Sequence, residues 1–266
     1  METLRLATRG SPLARRQTEI VSELLHDAHP DLRIEPVIVR TQGDRESTVS
    51  LDRIGGQGVF VAEVEAAVED GRADAAVHSA KDMTSTMPAH LALGAVPRRA
   101  DARDGLVGCT LADLPAGALI ATGSARRRAQ LAYLRPDLVF TDLRGNMARR
   151  VETGEEGGVT AVVVAVAAMV RLGWEERLRD VLDPIDLLPQ AGQGAIAVQC
   201  RADDERVSAV LGVIDHGPSH RALLAERAVL AALGGSCTAP VAAFAEALDP
   251  DGVPAGAAAG AAAGAG

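Results

Sequence analysis

The sequence predicts an α/β protein built as two lobes that are joined by a hinge. Strand-like and helix-like patterns alternate from residue 4 to residue 77, an order that favours a parallel sheet with right-handed crossovers. The same plan recurs over residues 106–171, again with arginines at the strand ends. A last apolar run at 195–199 has the pattern of a strand that returns to the first sheet. The chain would therefore cross between the lobes twice, as in hinged-cleft proteins.

Length and composition limit the possible functions. The 266 residues exceed what one ordinary core organises, and 47% hydrophobic with 24% charged residues is typical of a globular protein. A formal net charge of −9 and an aromatic content of 2% argue against a nucleic-acid partner. The first residues lack a secretory apolar core, and no apolar run reaches the ~18 residues of a membrane span. We therefore expect a cytoplasmic protein without a membrane partner.

The first lobe supplies a candidate anion site at its first helix. Strands are expected at residues 4–8, 32–40, 75–77 and 91–96, and helices at 13–26 and 59–69. Ser11 precedes Pro12, a pair typical of an N-cap followed by proline at the first helical position. The Ser11 hydroxyl, the Arg9 guanidinium and the free helix N–H groups would meet at one point, which suits an anion. A plain helix cap is the alternative.

A polar cluster follows the predicted strand 75–77. It contains His78, Ser79, Lys81 and Asp82. In an open α/β sheet, ligands bind beyond the carboxyl ends of the strands. A lysine beside an aspartate at that place puts a cation and a carboxylate together where water can be excluded. The alternative is a surface turn with one exposed ion pair.

A second candidate anion site lies in the second lobe. Strands are expected there at 106–107, 120–121, 138–143 and 157–166, with helices that end at 134 and 171. The turn after the strand 120–121 carries Thr122 and Ser124, and arginines follow at 126–128. The helix dipole disfavours cations in a first turn unless an anion is near, so Arg126 and Arg127 favour a ligand site over a solvated helix face.

The same patterns divide the chain into domains. The first lobe is expected at residues 1–97 and 195–213, and the second at 98–194. A small third domain is expected at 214–249, with a helix at 216–233 and a strand at 241–245. The Gly/Ala repetition of residues 250–266 is a low-complexity tail.

The inventory of reactive side chains indicates a ligand with several anionic groups, because guanidinium groups bind carboxylates and phosphates bidentately. The arginines come from both lobes: Arg9, Arg126, Arg127, Arg144, Arg150 and Arg171. There is no Walker loop, and no spacing of histidines or of the cysteines suggests a metal site. A single aspartate among cations suits the stabilisation of cationic intermediates and the transfer of one proton. Cys237 is either a covalent attachment point or a small apolar residue near a turn.

Seven motifs in order resemble the porphobilinogen deaminase family, also called hydroxymethylbilane synthase. The resemblance covers residues 4–245, and it is carried by TRGSPLARRQ, AVHSAKDM, TGSARRRAQL, LRGNMARR, AVAAMVRLG, GQGAIAVQCR and GGSCTAPVAAFA. It implies two hinged lobes like those of periplasmic binding proteins, with a small α+β third domain. It also implies a monomeric transferase of tetrapyrrole (heme) biosynthesis, which condenses four porphobilinogens with loss of ammonia into hydroxymethylbilane.

The resemblance also implies a role for each candidate residue. Asp82 would stabilise the cationic azafulvene and pyrrole intermediates and assist proton transfer, and Cys237 would carry a dipyrromethane cofactor through a thioether. The residues that would bind the cofactor are Lys81, Thr122, Ser124, Arg126, Arg127, Arg144 and Arg150. Those that would bind the substrate are Arg9, Ser11, Arg171 and Gln193. No metal is expected.

The sequence departs from the family pattern in four places. Gln57 and Ala62 stand where the glycine-rich lid of the family has lysines, and the serine pair after Thr122 is reduced to Ser124. Gly-Ser-Cys replaces Gly-Gly-Cys at 235–237, and the Gly/Ala tail stands where the family continues its third domain. Two hypotheses therefore stay open. One is an active deaminase with a shortened third domain, and the other is a cleft-type protein that binds porphobilinogen or another polycarboxylate without turnover.

Overall fold

The computed structural model describes residues 2–41, 60–143, 145–234, 240–246 and 248. Within these ranges the chain forms two five-stranded sheets flanked by helices. The strands are β1 (Thr3–Arg9), β2 (Arg33–Val39), β3 (Ala75–Ser79), β4 (Leu91–Ala95), β5 (Asp104–Val107), β6 (Leu119–Ala121), β7 (Val139–Thr141), β8 (Ala161–Ala165), β9 (Asp180–Val181) and β10 (Ile196–Arg201). The helices are α1 (Pro12–Ala28), α2 (Ala62–Glu69), α3 (Ala125–Leu134), α4 (Met147–Glu155), α5 (Val166–Arg171), α6 (Glu205–Gly212) and α7 (Gly217–Ala232).

The first sheet has the order β2-β1-β3-β10-β4. β1 runs parallel to β2 and β3, and β10 runs antiparallel to β3 and β4. The prediction that the strand near residue 195 returns to the first sheet is confirmed. Its core residues, among them Leu6, Val198 and Leu211, are completely buried.

The second sheet has the order β7-β6-β8-β5-β9, and β6 runs parallel to β7 and β8. β5 enters antiparallel to β8 and β9. Every residue of β8 is buried, as expected for a β-branched strand that is covered on both faces. The α/β class with parallel-rich sheets in two lobes is confirmed.

The two segments that cross between the sheets touch one another at Gly194. The Ala100 amide donates to the Gly194 carbonyl at 3.2 Å. Gly194 has a φ of +84°, and a Cβ atom there would lie 2.5 Å from the Ala100 carbonyl oxygen. Only glycine combines this left-handed backbone with so close an approach. The contact holds the two crossings against one another.

The predicted strand at 241–245 is wrong, because residues 241–246 form no strand. Ala243 donates its amide to the Pro189 carbonyl at 3.2 Å, and Ala245 donates its amide to the Glu226 carboxylate at 2.8 Å. The segment is therefore held by a crossing and by a side chain of α7, with no adjacent strand in the described ranges. The helix α6 was not predicted from the sequence. No helix of the described ranges is long and apolar enough to span a bilayer.

Candidate active site

A cavity opens where β1 and β3 end side by side. Its lining includes Arg9 from the end of β1, His78 from β3 and Asp82 from the short 3-10 turn that follows β3. Ser11 also lines it, and its hydroxyl accepts a hydrogen bond from the Ala14 amide at 3.3 Å. The predicted N-cap is therefore confirmed. The structure brings Arg9, Ser11 and Asp82 together at the carboxyl edge of a parallel strand pair.

The polar lining of this cavity is ordered by packing and hydrogen bonds. The Arg9 guanidinium lies 4.1 Å from the centre of the Phe60 ring, a cation–π distance. The Gln17 amide nitrogen donates to the Ser79 hydroxyl at 2.8 Å. Burial, with the charge of Arg9 adding to it, lowers the pKa of His78 to about 4. The imidazole is therefore neutral at pH 7 and leaves the charge balance to Arg9 and Asp82.

Lys81 and Asp82 are adjacent in sequence, and the carboxylate of Asp82 is one of the charges that act on the Lys81 ammonium. Lys81 Nζ donates to the Gln193 amide oxygen at 3.4 Å, and within the described residues no ion pair joins it to Asp82. A 3-10 turn has three residues per turn, so consecutive side chains point about 120° apart. The expected proximity of the cation and the carboxylate is therefore observed, but without a direct ion pair between the described side chains. Burial and the charge of Arg127 lower the pKa of Lys81 to about 8.

Arg126 and Arg127 share one carboxylate of the chain itself, that of Asp104. Arg126 Nη2 donates to Asp104 Oδ2 at 2.7 Å, and Arg127 Nη2 donates to Oδ1 at 2.6 Å. The solvated-face alternative is wrong for these two arginines, which are buried. The anion that their first-turn position requires is present, and it comes from β5. Burial would raise the pKa of Asp104, but the charges of Arg127 and Arg126 lower it to about 2.

The turn that precedes α3 is held by its own hydroxyl groups. The Ser124 hydroxyl caps α3 by accepting from the Arg127 amide at 3.4 Å. The Thr122 hydroxyl accepts from the Ser124 amide at 3.2 Å. Thr122 and Ser124 therefore shape the backbone on which the two buried arginines stand.

Arg150 and Arg171, two further predicted arginines, bond to backbone carbonyl groups. Arg171 donates to the Gly194 carbonyl at 2.7 Å, and Arg150 donates to the Gly145 carbonyl at 3.0 Å. Burial lowers the pKa of Arg171 to about 10. Arg144, Gln57 and Cys237 lie outside the described residues.

The cluster behind the cavity suits a ligand that carries carboxylates. The guanidinium groups of Arg126 and Arg127 bond to the single Asp104 carboxylate, and the charges of Asp82 and Asp104 both act on the Lys81 ammonium, so three cations face two carboxylates. The buried Nε of Arg126 has no hydrogen-bond partner within the described part of the chain. A buried cation without an equal countercharge is costly, so an anionic ligand would stabilise this arrangement. Among the described residues, no group of acidic, histidine or cysteine side chains could hold a metal ion.

Sequence reasoning missed Asp104 and Gln17. Asp104 opens the short strand β5, two residues before the predicted start of that strand at residue 106. Its signal was weak, because its partners are 22 and 23 residues away. Gln17 lies on the buried face of α1 with Val21 and Leu25. A polar amide on an otherwise apolar helix face was the signal from which its place in the site could have been predicted.

The chain is similar to a well-defined family of proteins. A family model described as "Porphobilinogen deaminase, dipyromethane cofactor binding domain" matches residues 4–209. A porphobilinogen deaminase of Roseiflexus sp. is 46% identical over 247 residues, which cover 92% of this chain and 82% of that protein. The porphobilinogen deaminase of Xanthomonas campestris is 47% identical over 248 residues, with the same coverage of 92% and 82%. That of Acidothermus cellulolyticus is 46% identical over 250 residues, covering 91% and 75%.

A solved structure also matches, the periplasmic aliphatic sulphonate binding protein SsuA of Escherichia coli. It has a TM-score of 0.44 at 17% identity and covers 88% of this chain and 71% of that one. The fold class follows from the order and direction of the strands in the two sheets.

Proposed function

Because the chain belongs to the porphobilinogen deaminase family, we propose that it is a transferase that joins four porphobilinogens head to tail into hydroxymethylbilane. The observation that carries the proposal is the meeting of Asp82 and Arg9 in one cavity, beside the buried cations Lys81, Arg126 and Arg127. The hypothesis of a binding protein without turnover is not favoured, because the curated relatives are deaminases.

The reaction needs a carboxylate near the aminomethyl carbon, which loses its bond to nitrogen and gains a bond to carbon. In each condensation the C–N bond of an aminomethyl group breaks and ammonia leaves. A C–C bond then forms to a pyrrole α-carbon, and that carbon loses its proton. Asp82 lies in the cavity where it can balance the positive charge that develops and accept this proton. The neutral His78 adds no opposing charge.

Acidic side chains of the ligand would be held by the cationic residues. Dipyrromethane, when bound, supplies the pyrrole carbon from which the chain is extended. We propose attachment through a thioether to Cys237, supported by the motif GGSCTAPVAAFA. The proposed binding residues for its carboxylates are Lys81, Thr122, Ser124, Arg126, Arg127, Arg144 and Arg150. For the substrate they are Arg9, Ser11, Arg171 and Gln193.

The domain division belongs to the same proposal. We propose a first lobe of residues 1–97 and 195–213, a second lobe of 98–194 and a third domain of 214–249. The two sheets and the return of β10 support this division. We further propose a cytoplasmic monomer that acts on a small molecule and has no nucleic-acid partner, in line with the net charge of −9.

Intact mass spectrometry tests the cofactor and turnover tests the chemistry. Purified wild-type protein should carry an added mass that matches a dipyrromethane, and Cys237→Ser should lack it. Asp82→Ala should keep the fold by circular dichroism and lose porphobilinogen turnover. An unmodified wild-type protein that consumes no porphobilinogen would contradict the proposed function. Near-normal turnover by Asp82→Ala would remove Asp82 from its role.

A further inference from the structure

Asp104 lies at the centre of the cationic cluster and is completely buried. It is the first residue of β5 and pairs with Ala165 at the end of β8, so its backbone is fixed by the second sheet. Its Oδ1 accepts from Arg127 Nε at 3.1 Å and from Arg127 Nη2 at 2.6 Å. Its Oδ2 accepts from Arg126 Nη2 at 2.7 Å. One rigid carboxylate therefore orients both guanidinium groups.

This orientation leaves donors for a ligand. A guanidinium carries five N–H donors. Besides Asp104, Arg127 binds the Val163 carbonyl at 2.9 Å and Arg126 binds the Leu188 carbonyl at 2.6 Å. Arg126 therefore makes two such bonds and Arg127 three, fewer than the N–H groups that each carries, and the buried Nε of Arg126 has no acceptor among the described atoms.

The same carboxylate reaches the first lobe through Gln193. The Gln193 amide nitrogen donates to Asp104 Oδ1 at 2.8 Å and to the Ala102 carbonyl at 2.7 Å. These two bonds decide which end of the amide faces Lys81, and Nζ of Lys81 donates to the Gln193 oxygen at 3.4 Å. The chain Asp104–Gln193–Lys81 therefore links a strand of the second sheet to the turn that carries Asp82.

We propose that Asp104 is a positioning residue: it orients Arg126 and Arg127 and, through Gln193, the Lys81 ammonium toward the acidic side chains of the bound ligand. This inference rests on the proposed function and gives Asp104 a role that acts through Arg126, Arg127 and Gln193. A purely structural ion pair would affect only folding. A positioning residue must also change how Lys81 titrates, because the charged groups that face Lys81 are Arg127, Asp82, Asp104 and Arg150.

The experiment compares Asp104→Asn and Asp104→Glu with the wild type. kcat and KM for porphobilinogen are measured from pH 6 to 10, with intact mass for cofactor loading and the thermal midpoint for folding. Asp104→Asn should lower kcat/KM at matched loading by ~100-fold, the order expected for misplaced binding groups. In the wild type kcat/KM should fall at alkaline pH, and this fall is the alkaline limb of the pH profile. In Asp104→Asn the alkaline limb should move to lower pH, because the carboxylate that favours the Lys81 ammonium is gone. Asp104→Glu should keep the limb and lose ~10-fold in kcat/KM.

Two further variants complete the design. Asp137→Asn breaks an exposed ion pair with Arg135 at the end of α3 and should change neither the limb nor kcat/KM. Gln193→Met keeps the contacts of Asp104 with the arginine pair and cuts the link to Lys81, so its limb should also move to lower pH. If Asp104→Asn fails to fold, the alkaline limb of Gln193→Met tests the positioning role in its place.

The outcomes separate the two proposals. A wild-type protein without turnover and without added mass contradicts the proposed function. An active wild type beside an Asp104→Asn variant with unchanged KM, kcat and alkaline limb overturns the positioning role. A loss of thermal stability alone, with the limb unmoved in both Asp104→Asn and Gln193→Met, also overturns it.

Discussion

Glu226 of α7 joins three parts of the molecule through one buried carboxylate. Arg99 Nη1 donates to its Oε1 at 2.6 Å, and Arg99 Nη2 donates to its Oε2 at 3.1 Å. Arg99 lies in the first crossing between the sheets. The Gly192 amide from the second crossing donates to Oε2 at 2.6 Å, and the Ala245 amide donates to Oε1 at 2.8 Å. The side chain of Glu226 is 0% exposed and that of Arg99 is 11% exposed.

The substitution Glu226→Gln removes the charge and keeps the shape. It leaves the Arg99 guanidinium without its countercharge, and it turns an amide NH2 toward the Gly192 or Ala245 amide. Removing one partner of a buried ion pair costs about 3–5 kcal/mol in the free energy of unfolding. For a chain of this size each kcal/mol lowers the thermal midpoint by ~2–4 °C, so the expected fall is ~6–20 °C.

Thermal unfolding followed by circular dichroism measures this prediction. The matched control is Glu155→Gln, which breaks the exposed pair with Arg177 and should cost at most ~1 kcal/mol. The double variant Arg99→Met/Glu226→Leu should regain part of the loss, because it leaves no uncompensated charge. If the midpoint of Glu226→Gln matches that of the control, the buried ion pair does not join the crossings as argued.

Three further predictions follow from the site. The lowered pKa of Lys81, about 8, means that its ammonium is lost as the pH rises through that value, so kcat/KM should fall there in the wild type but not in Lys81→Arg. The pKa of Asp104 is about 2 in the folded protein. Against an ordinary value of ~3.9, its carboxylate contributes ~2–3 kcal/mol that is present above pH ~4 and lost as the pH falls toward 2. Acid unfolding of Asp104→Asn should lack that component. Gly192→Ala should lose more thermal stability than Gly71→Ala: both have positive φ, but only at Gly192 would a Cβ lie 2.8 Å from the Lys81 amide nitrogen. Equal losses would contradict the last of these.

The sequence alone determined the local architecture of the site. The alternation of strands and helices, the cap at Ser11 and the return of the strand near residue 195 were predicted and are observed. The alternation and the cap depend on patterns and hydrogen bonds within a few residues, whereas β10 pairs with β3 across more than a hundred residues. The strand ends deliver their polar side chains to one edge because parallel strands share that edge.

Only the tertiary structure decided which side chains are partners. Lys81 pairs with Gln193, 112 residues away, rather than with its neighbour Asp82. The arginine pair bonds to the Asp104 carboxylate, and the segment 241–246 bonds to a carboxylate of α7 instead of to a strand. Such contacts are set by how two sheets and two crossings pack. No hydrophobic pattern within one segment of the sequence predicts these contacts, because it is the folding of the lobes that brings the groups together.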